Sequence, residues 1–232
     1  MIARIVTIAF GILTATLAVC ASAADDDVLS NSLRVGAYYI TYDTQADDLR
    51  GPFVPPGVNI KLKDTTTLYF AYVRRLTEHF STELALGAPP LTKTVGKGPA
   101  YLGSVPYNDQ EIVTARWFAP TLLLTYSFFD ESARLRPYIG AGINYTRFYS
   151  RQATAAGEAV VGGPTAISLT TSVGPAATLG LSYRLTRHFS LNGSLSASEV
   201  DSDFTSNTAG VIRRTHVSFG PRAAVLSAGY LF

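Results

Sequence analysis

The feature that most constrains the fold is a two-residue period in hydrophobicity, repeated along eight separate stretches. These stretches cover residues 33–42, 65–76, 79–88, 115–129, 135–149, 172–185, 188–197 and 217–232. In the seventh stretch, for example, Phe189, Leu191 and Leu195 alternate with Ser190 and Asn192. Successive side chains of a β-strand point to opposite faces, so the pattern predicts eight strands, each with one apolar face.

The apolar faces could cover a soluble core or could face lipid. In a soluble β-sandwich the apolar face fills the interior, whereas in a membrane barrel it points outward and aromatic residues mark the two interfaces. Charged residues are only 16% of the chain, against roughly 25% in soluble domains. Aromatic residues lie near the segment ends, at Tyr126, Phe128, Phe129, Tyr145, Phe148, Tyr149 and Tyr183. We therefore predict an all-β protein, an eight-stranded antiparallel transmembrane β-barrel, with the soluble sandwich as the alternative.

The connections between the stretches differ in length in a regular way. Three are short, near residues 76–78, 130–133 and 186–187, and four are long, near 43–64, 89–114, 150–171 and 198–216. Outer-membrane barrels have short periplasmic turns and long extracellular loops. The similar heptapeptides at 74–80 and 183–189 each cross a short turn, which predicts one hairpin geometry used twice.

The N-terminal segment is typical of a secretory signal. Arg4 precedes an apolar run from Ile5 to Val19, and Ala21-Ser22-Ala23 resembles a cleavage site. We predict a signal peptide at 1–23 and a single barrel domain at 24–232. A lipoprotein signal ending at Cys20 is the alternative. After residue 23 there is no apolar run of about 18 residues that would predict a transmembrane helix.

The last stretch places Tyr230 and Phe232 on its apolar face. A barrel closes only when its last strand pairs with its first, since hydrocarbon tolerates no open strand edge. This ending also resembles the C-terminal aromatic signal that delivers outer-membrane barrels to the barrel-assembly machinery. We therefore expect Phe232 and Tyr230 to act as an assembly signal, with that machinery as a partner.

Four segments resemble the OmpW family of Gram-negative outer-membrane proteins: residues 83–89, 119–128, 136–148 and 227–232. The resemblance implies an outer-membrane β-barrel with a narrow, largely apolar passage. Such a passage would move small hydrophobic molecules across the lipopolysaccharide layer, with exit sideways into the membrane. It also implies no catalytic residues and no cofactor, with outer-membrane lipid and lipopolysaccharide as surroundings. The long loops do not match well enough to carry a solute preference over.

Two groups of side chains are candidates for the lumen. The inward face predicts a passage lined by Trp117, Tyr69, Leu123, Tyr138 and Thr178. Charged residues expected inside the lumen are Glu83, Arg116, Arg136 and Arg184. These charges would either form an ion-pair plug or tune selectivity, since lumen residues of such barrels do both. A barrel with a plugged lumen would act through its loops, as a structural or surface-interaction protein.

An enzymatic alternative rests on His216 and Ser218, because lipid A deacylases are also eight-stranded barrels with a His-x-Ser arrangement. That chemistry needs an acid to orient the histidine, and Glu199 or Asp201 is the candidate. The three histidines, His79, His188 and His216, fall at opposite rims and predict no metal site. Basic residues are scattered along the sequence, which predicts no nucleic-acid partner.

Overall fold

The computed structural model of the 232-residue chain describes residues 30–102 and 105–232. Its strands are β1 Asn31–Tyr42, β2 Gln45–Ala46, β3 Asn59–Leu62, β4 Thr65–Arg75, β5 Phe80–Gly87, β6 Leu91–Lys97, β7 Tyr101–Leu102, β8 Val105–Pro106, β9 Glu111–Phe118, β10 Thr121–Ser127, β11 Leu135–Ala153, β12 Thr165–Leu169, β13 Ser172–Arg184, β14 Phe189–Ser198, β15 Asp201–Thr208, β16 Val211–Ser218 and β17 Pro221–Leu231. A short helix, α1, covers Ala155–Val161. Among the described residues, no helix has the length and apolar character needed to cross a membrane. The predicted signal peptide, 1–23, lies outside the described residues.

Eight of the described strands form a closed antiparallel β-barrel. Their order around the barrel is β1, β4, β5, β10, β11, β13, β14 and β17. The seam pairs β17 with β1 from Ser32↔Leu231 to Tyr42↔Pro221. Backbone hydrogen bonds in both directions between Asn31 and Phe232, of 3.0 and 2.9 Å, finish the seam. Each barrel strand therefore has two paired neighbours, as hydrocarbon requires, and the predicted eight-stranded barrel is confirmed.

The large apolar side chains of the barrel point away from its centre. On β10, Leu122 and Leu124 are 57% and 50% exposed, whereas Leu123 between them is 4% exposed. On β14, Leu191 is exposed and Asn192 is fully buried. This burial is the reverse of that in a soluble sandwich, where the apolar face is covered. The exposed leucines form the apolar band that faces lipid in a membrane barrel.

The two similar heptapeptides form the same tight turn. After β4, the Thr77 hydroxyl accepts a hydrogen bond from the Phe80 backbone N–H at 3.0 Å. After β13, the Thr186 hydroxyl accepts one from the Phe189 N–H at 3.1 Å. Such side-chain bonds replace backbone partners that a tight turn leaves unpaired. The prediction of one hairpin geometry used twice is confirmed.

Two of the predicted strands are wrong in extent, because each is two strands. The fourth stretch, 115–129, breaks at Pro120, between β9 and β10. The eighth stretch, 217–232, breaks at Gly220, between β16 and β17. Pro120 has no N–H to donate to a sheet, and Gly220 has a φ of 47°, which favours glycine. At each break the chain passes from the strands of the long connections, which together we call the long-loop assembly, into the barrel.

The long connections, which were expected to be loops, fold largely into further strands. β9, β6 and β3 continue the barrel sheet from the far half of β11, and β12, β15, β16 and β2 form a separate four-stranded sheet. These strands enclose the larger of the two described apolar clusters, which includes Val58, Ile60, Ile112, Val113, Phe204 and Val217. The apolar core of the protein therefore lies at the long-loop end, above the lipid-facing band.

Candidate functional site: an interrupted passage through the barrel

The long-loop half of the barrel encloses an apolar chamber. It contains about 790 Å³ of space outside protein atoms, part of it continuous with solvent. We call this space the inner chamber; its large lining side chains are Tyr38, Ile40, Tyr42, Leu62, Tyr69, Trp117, Leu123, Phe148, Val200, Phe219 and Val225. The Trp117 Nε1–H donates to the Thr92 hydroxyl at 2.9 Å, so the one polar atom of this ring is satisfied. The chamber has the predominantly aliphatic and aromatic lining of a site for apolar molecules.

A buried polar cluster closes the inner chamber toward the short turns. Arg34 Nη1 donates to Glu83 Oε2 at 2.9 Å, and the Tyr69 hydroxyl donates to Glu83 Oε1 at 2.6 Å. The Arg34 guanidinium also lies 5.6 Å from the centre of the Tyr138 ring. The side chains of Arg34 and Glu83 are only 12% and 6% exposed. We call Arg34, Tyr69, Glu83 and Tyr138 the polar plug.

The polar plug depends on the small residue opposite Tyr138. A Cβ at Gly180 would lie 2.5 Å from Cζ of Tyr138 and 2.7 Å from the Gly193 carbonyl oxygen. No real Cβ tolerates such distances, so only glycine leaves room for the ring at this point of β13. The sequence of β13 thereby places an aromatic ring across the lumen beside Arg34.

Beyond the polar plug, the short-turn half of the barrel is a polar chamber. This lower chamber contains about 1260 Å³ of space, including open solvent. Its charged lining residues are Arg34, Arg75, Glu83, Glu131, Arg134, Arg136, Arg184 and Arg187. Arg136 Nη2 donates to the Glu78 carbonyl oxygen at 2.6 Å, and Arg184 Nη2 donates to that of Ala133 at 2.8 Å. The lumen thus changes from apolar to strongly cationic across the plug.

The five predicted lining residues all have buried side chains. Tyr69, Trp117 and Leu123 line the inner chamber. Tyr138 belongs to the plug and faces the lower chamber. Thr178 is part of the wall, where its hydroxyl donates to the Leu195 carbonyl oxygen at 3.3 Å. Their contact with a passing solute stays a prediction.

The predicted lumen charges divide into three cases. Glu83 is buried at the centre of the polar plug. Arg136 and Arg184 lie at the short-turn rim and bind backbone carbonyls there. Arg116 was wrongly expected inside, because it is exposed and donates to the Pro89 carbonyl oxygen. It precedes Trp117 on the same strand, and neighbouring strand residues point to opposite faces.

Arg34 is the functional residue that the sequence reasoning missed. It is the cation that pairs with Glu83, and it lies on β1. The signal was present, because Arg34 shares strand parity with Tyr38 and Ile40, which line the inner chamber. Alternation applied to β1 as strictly as to the other strands would have placed Arg34 inside.

His216 is oriented by an acid other than the two expected. Its Nδ1 lies 2.9 Å from Asp203 Oδ1, across the pairing of β15 with β16, instead of near Glu199 or Asp201. The side chains of His216 and Asp203 are 55% and 70% exposed. The hydrogen bond to Asp203 raises the pKa of His216 above its ordinary value. This pair lies on the outer surface of the long-loop assembly.

The other two histidines have matching positions at the short-turn rim. His79 Nδ1 donates to the Ser127 carbonyl oxygen, and His188 Nδ1 donates to that of Leu231, both at 3.1 Å. Within the described residues, no three side chains suited to metal binding come together. Both histidines therefore have a structural use, which is to tie a turn to the neighbouring strand.

Comparison with known proteins agrees with this barrel geometry. The sequence profile described as the OmpW family matches residues 32–232. The chain belongs to the OmpW family. Outer membrane protein W of Salmonella typhi is 28% identical over 171 residues, which are 74% of this chain and 75% of that protein.

Two further similar proteins extend the comparison. The dibenzothiophene metabolism operon protein PahQ of Pseudomonas aeruginosa is 32% identical over 125 residues, 52% of this chain and 54% of that protein. The crystal structure of outer membrane protein OprG from Pseudomonas aeruginosa has the same fold. It matches with a TM-score of 0.78 and 21% identity, over 88% of this chain and 95% of that one.

Membership of the OmpW family places the protein in the bacterial outer membrane. The rim with short turns is then periplasmic, and the long-loop assembly is extracellular. In this orientation the inner chamber lies toward the outside of the cell, and the lower chamber opens toward the periplasm.

Proposed function

We propose that this OmpW-family barrel is a passive conduit for small hydrophobic molecules. They enter from the extracellular side, occupy the inner chamber and leave sideways into the membrane above the polar plug. The observation that carries the proposal is an apolar chamber that ends on a buried ion pair. A water-filled porin does not serve an apolar solute, and eight strands leave space for one small ligand at most.

Apolar contacts continue from the extracellular assembly into the barrel. One cluster of buried side chains contains Val58, Ile60 and Phe204, which lie between the long connections. The same cluster contains Trp117 and Phe148, which line the inner chamber. A hydrophobic molecule moving inward thus passes from the apolar side chains of the long connections to those of the inner chamber. It stays in contact with apolar side chains and out of water.

The polar plug opposes movement on toward the periplasm. A solute that passed it would have to separate Arg34 from Glu83 and leave two buried charges without their partners, which is strongly unfavourable. Beyond the plug, the lower chamber is lined by charged and hydroxyl-bearing side chains, which give a neutral apolar solute less favourable contact than lipid does. Lipid beside the inner chamber is the more favourable destination for an apolar molecule.

The wall of the inner chamber is thin where β13 meets β14. Ala177 and Ala197 pair directly across these strands. Both are exposed on the outer face of the barrel, with their methyl groups toward lipid, while the strand backbone at these positions lines the inner chamber. Paired residues share a face, so only two methyl groups cover the backbone here on the lipid side. We place the sideways exit at this alanine pair.

The printed name of one relative supports an apolar solute class. PahQ is named for an operon of dibenzothiophene metabolism, and dibenzothiophene is a fused aromatic compound without charge. An aromatic molecule of this kind matches a chamber lined by Trp117, Phe148 and Phe219, because aromatic rings pack well on one another.

The test is passage of a neutral aromatic probe into liposomes that contain the purified barrel. We expect faster uptake than in empty liposomes, together with weak steady ion conductance. Ala177→Phe should slow uptake several-fold by covering the exit on its lipid side. The matched control is Ala228→Phe, a lipid-facing position on β17 outside the chamber lining. Large ion conductance without uptake of the probe would contradict the proposal.

A second candidate function follows from the same plug. If the closed lumen passes nothing, the barrel is a structural or surface-interaction protein whose extracellular assembly does the work. Ala177→Phe would then leave every property of the cell envelope unchanged. Replacing the exposed hairpin of β15 and β16 would alter those properties while uptake of the probe stayed at the level of empty liposomes.

We also infer that the barrel works without catalysis. Although Ser218 shares a strand face with His216 and Asp203, the pair is exposed to solvent on the outer surface, which is not the water-excluded setting that favours catalysis. A deacylase built on these residues would release acyl chains from lipid A. We expect equal amounts of free acyl chains from outer membranes carrying the native barrel and Ser218→Ala, and a loss with Ser218→Ala would establish the enzyme instead.

A further inference from the structure

A second apolar cavity lies between the long connections, outside the barrel. It contains about 890 Å³ of space outside protein atoms, including open solvent. All four long connections contribute to its lining, through Val54, Ile60, Ile112, Val160, Phe204 and Arg213. We call this space the outer vestibule. Among these six side chains, five are apolar and the sixth is a cation.

Arg213 is buried on the inner face of β16. Its side chain is 7% exposed, and its neighbours on the same face are Thr215 and Val217, which are also buried. Nε donates to the Pro52 carbonyl oxygen at 3.2 Å. A Cβ at Gly51 would lie 2.7 Å from the Ile212 carbonyl oxygen and 3.0 Å from Cγ of Arg213. Glycine at 51 thus lets the first long connection lie directly against the arginine stem.

One terminal nitrogen of the Arg213 guanidinium has unused hydrogen-bonding capacity. Nη1 is buried and has no hydrogen-bond partner among the described residues. The ion pairs found within residues 30–102 and 105–232 include no carboxylate bound to Arg213. An arginine is effectively always charged, and a buried charge is normally paired. The fold therefore holds an uncompensated cation against an apolar cavity.

We propose that the outer vestibule binds apolar monocarboxylates, with the carboxylate on the Arg213 guanidinium and the hydrocarbon part among the apolar side chains. A carboxylate brings one negative charge, which a single guanidinium neutralises with a charge-assisted hydrogen bond. A phosphate monoester brings more charge than one arginine can balance. The remaining polar groups of the lining, such as Ser206, are uncharged and leave a second negative charge without a counter-ion.

The mouth of the outer vestibule carries two aromatic side chains in contact with solvent. Phe53 is 90% exposed and Tyr101 is 70% exposed, and both line the cavity. Phe53 also has a φ of 62°, a backbone conformation that a bulky residue rarely adopts. Exposed rings at the rim of an apolar cavity suit capture of the hydrocarbon part of a ligand.

Binding in the outer vestibule is independent of the sideways exit, and only onward movement into the inner chamber rests on the proposed function. The two can therefore be tested separately. The binding experiment uses the mature barrel in phosphatidylcholine nanodiscs, with empty nanodiscs as the blank. The probes are 2-naphthoate and its neutral methyl ester, and binding is followed by saturation-transfer NMR.

We expect native protein to bind 2-naphthoate at least about tenfold more tightly than the ester, the difference made by a hydrogen bond to a charged group. Arg213→Met should remove that preference and leave ester binding unchanged. Arg214→Met is the matched control, because Arg214 is the next residue on β16 but is exposed on the opposite face. It should keep the preference for the acid.

Three outcomes would overturn the proposal: equal binding of acid and ester by the native barrel, an acid preference that survives Arg213→Met, or an equal loss with Arg214→Met. The comparison of acid with ester on native protein needs no variant, so it stands even if Arg213→Met disturbs the assembly. Liposome uptake of a neutral probe should be the same for native protein and Arg213→Met. If neither protein takes up the neutral probe but the native protein still binds the acid, the proposed conduit is refuted. The proposed binding site at Arg213 is then unaffected.

Discussion

At the scale of single residues, the ion pair of Arg34 with Glu83 affects both the stability of the barrel and the shape of its lumen. Both side chains are buried in the lumen, and Tyr69 is a second hydrogen-bond partner of the carboxylate. Pairing and hydrogen bonds are what make burial of the two charges tolerable. The pair joins β1 to β5 and also divides the apolar chamber from the polar one.

Glu83→Gln should destabilise the barrel by about 3–5 kcal/mol, because it leaves the buried Arg34 cation without its counter-charge. The measurement is the free energy of unfolding by urea, for barrels folded in lipid vesicles. In the double variant Arg34→Met, Glu83→Gln no buried charge remains, and most of the loss should be recovered. Equal losses in the single and double variants would show that the charge pairing is not the cause.

The pair of His216 and Asp203 predicts a pH dependence in the extracellular assembly. The pKa of His216 lies above its ordinary value of 6.5, because Asp203 accepts its hydrogen bond, with smaller contributions from the charges of Asp201 and Asp47. A raised pKa in the folded state means that the protonated form favours the folded hairpin. This contribution is fully present below pH 6.5 and is lost as pH rises through the folded pKa.

NMR titration of labelled histidine in the native barrel should show this raised pKa, with His216→Gln identifying the signal. Asp203→Asn should return the pKa toward its ordinary value, and Asp201→Asn should change it less. If Asp203→Asn does not change the pKa of His216, the hydrogen bond between Asp203 on β15 and His216 on β16 does not persist in solution.

At the scale of elements, the closing strand β17 combines pairing with an aromatic end. Phe232 exchanges backbone hydrogen bonds with Asn31, and its ring centre lies 6.2 Å from that of Tyr230. Both rings are about half exposed and face lipid. A residue in this position can serve the stability of the seam, delivery to the assembly machinery, or both.

Deleting Phe232 should lower the amount of barrel in the outer membrane, while Phe232→Tyr should preserve it, because the aromatic ring is the expected signal. The amount is measured by immunoblot of membrane fractions. Refolding of the purified deletion variant from urea into vesicles separates the two roles. A refolding yield reduced as much as the amount in cells would assign the effect to the seam and not to delivery.

The barrel strands were predictable because lipid and lumen impose opposite demands on alternate residues. Leu123 and Leu124 are chemically identical, yet parity alone assigns one to the chamber and one to lipid. The extracellular strands were not predictable by this means. They surround a core of their own, so β9 and β16 alternate without a break in composition. Only Pro120 and Gly220 mark where each is followed by a barrel strand.

The site was predictable in part for the same physical reason. Parity placed Tyr69, Leu123 and Glu83 in the lumen, where the structure has them buried. It could not show that Glu83 meets Arg34, because that contact joins residues 49 positions apart in the chain. The burial of Arg213 without an ion-pair partner among the described residues depends on which long connections pack around it. Contacts between long connections produce no repeating pattern in the sequence, so this burial could not be predicted.

At the scale of the whole molecule, the lumen is two chambers of opposite character joined at a closed point. The extracellular chamber is apolar, and the periplasmic one is rich in arginine. In a conduit of this form, ions and apolar solutes need different paths. Ions need a continuous wet path through the polar plug, whereas an apolar solute needs only the inner chamber and its thin wall.

This separation gives a prediction for the double variant Arg34→Ser, Glu83→Ser. Removing both charged side chains avoids leaving one unpaired and opens space between the two chambers. Steady ion conductance in planar bilayers should rise several-fold over the native barrel. Uptake of a neutral aromatic probe into liposomes should stay unchanged, because its exit at Ala177 and Ala197 lies above the plug. A parallel rise in probe uptake would mean that solutes pass straight through the barrel, and it would exclude the sideways exit.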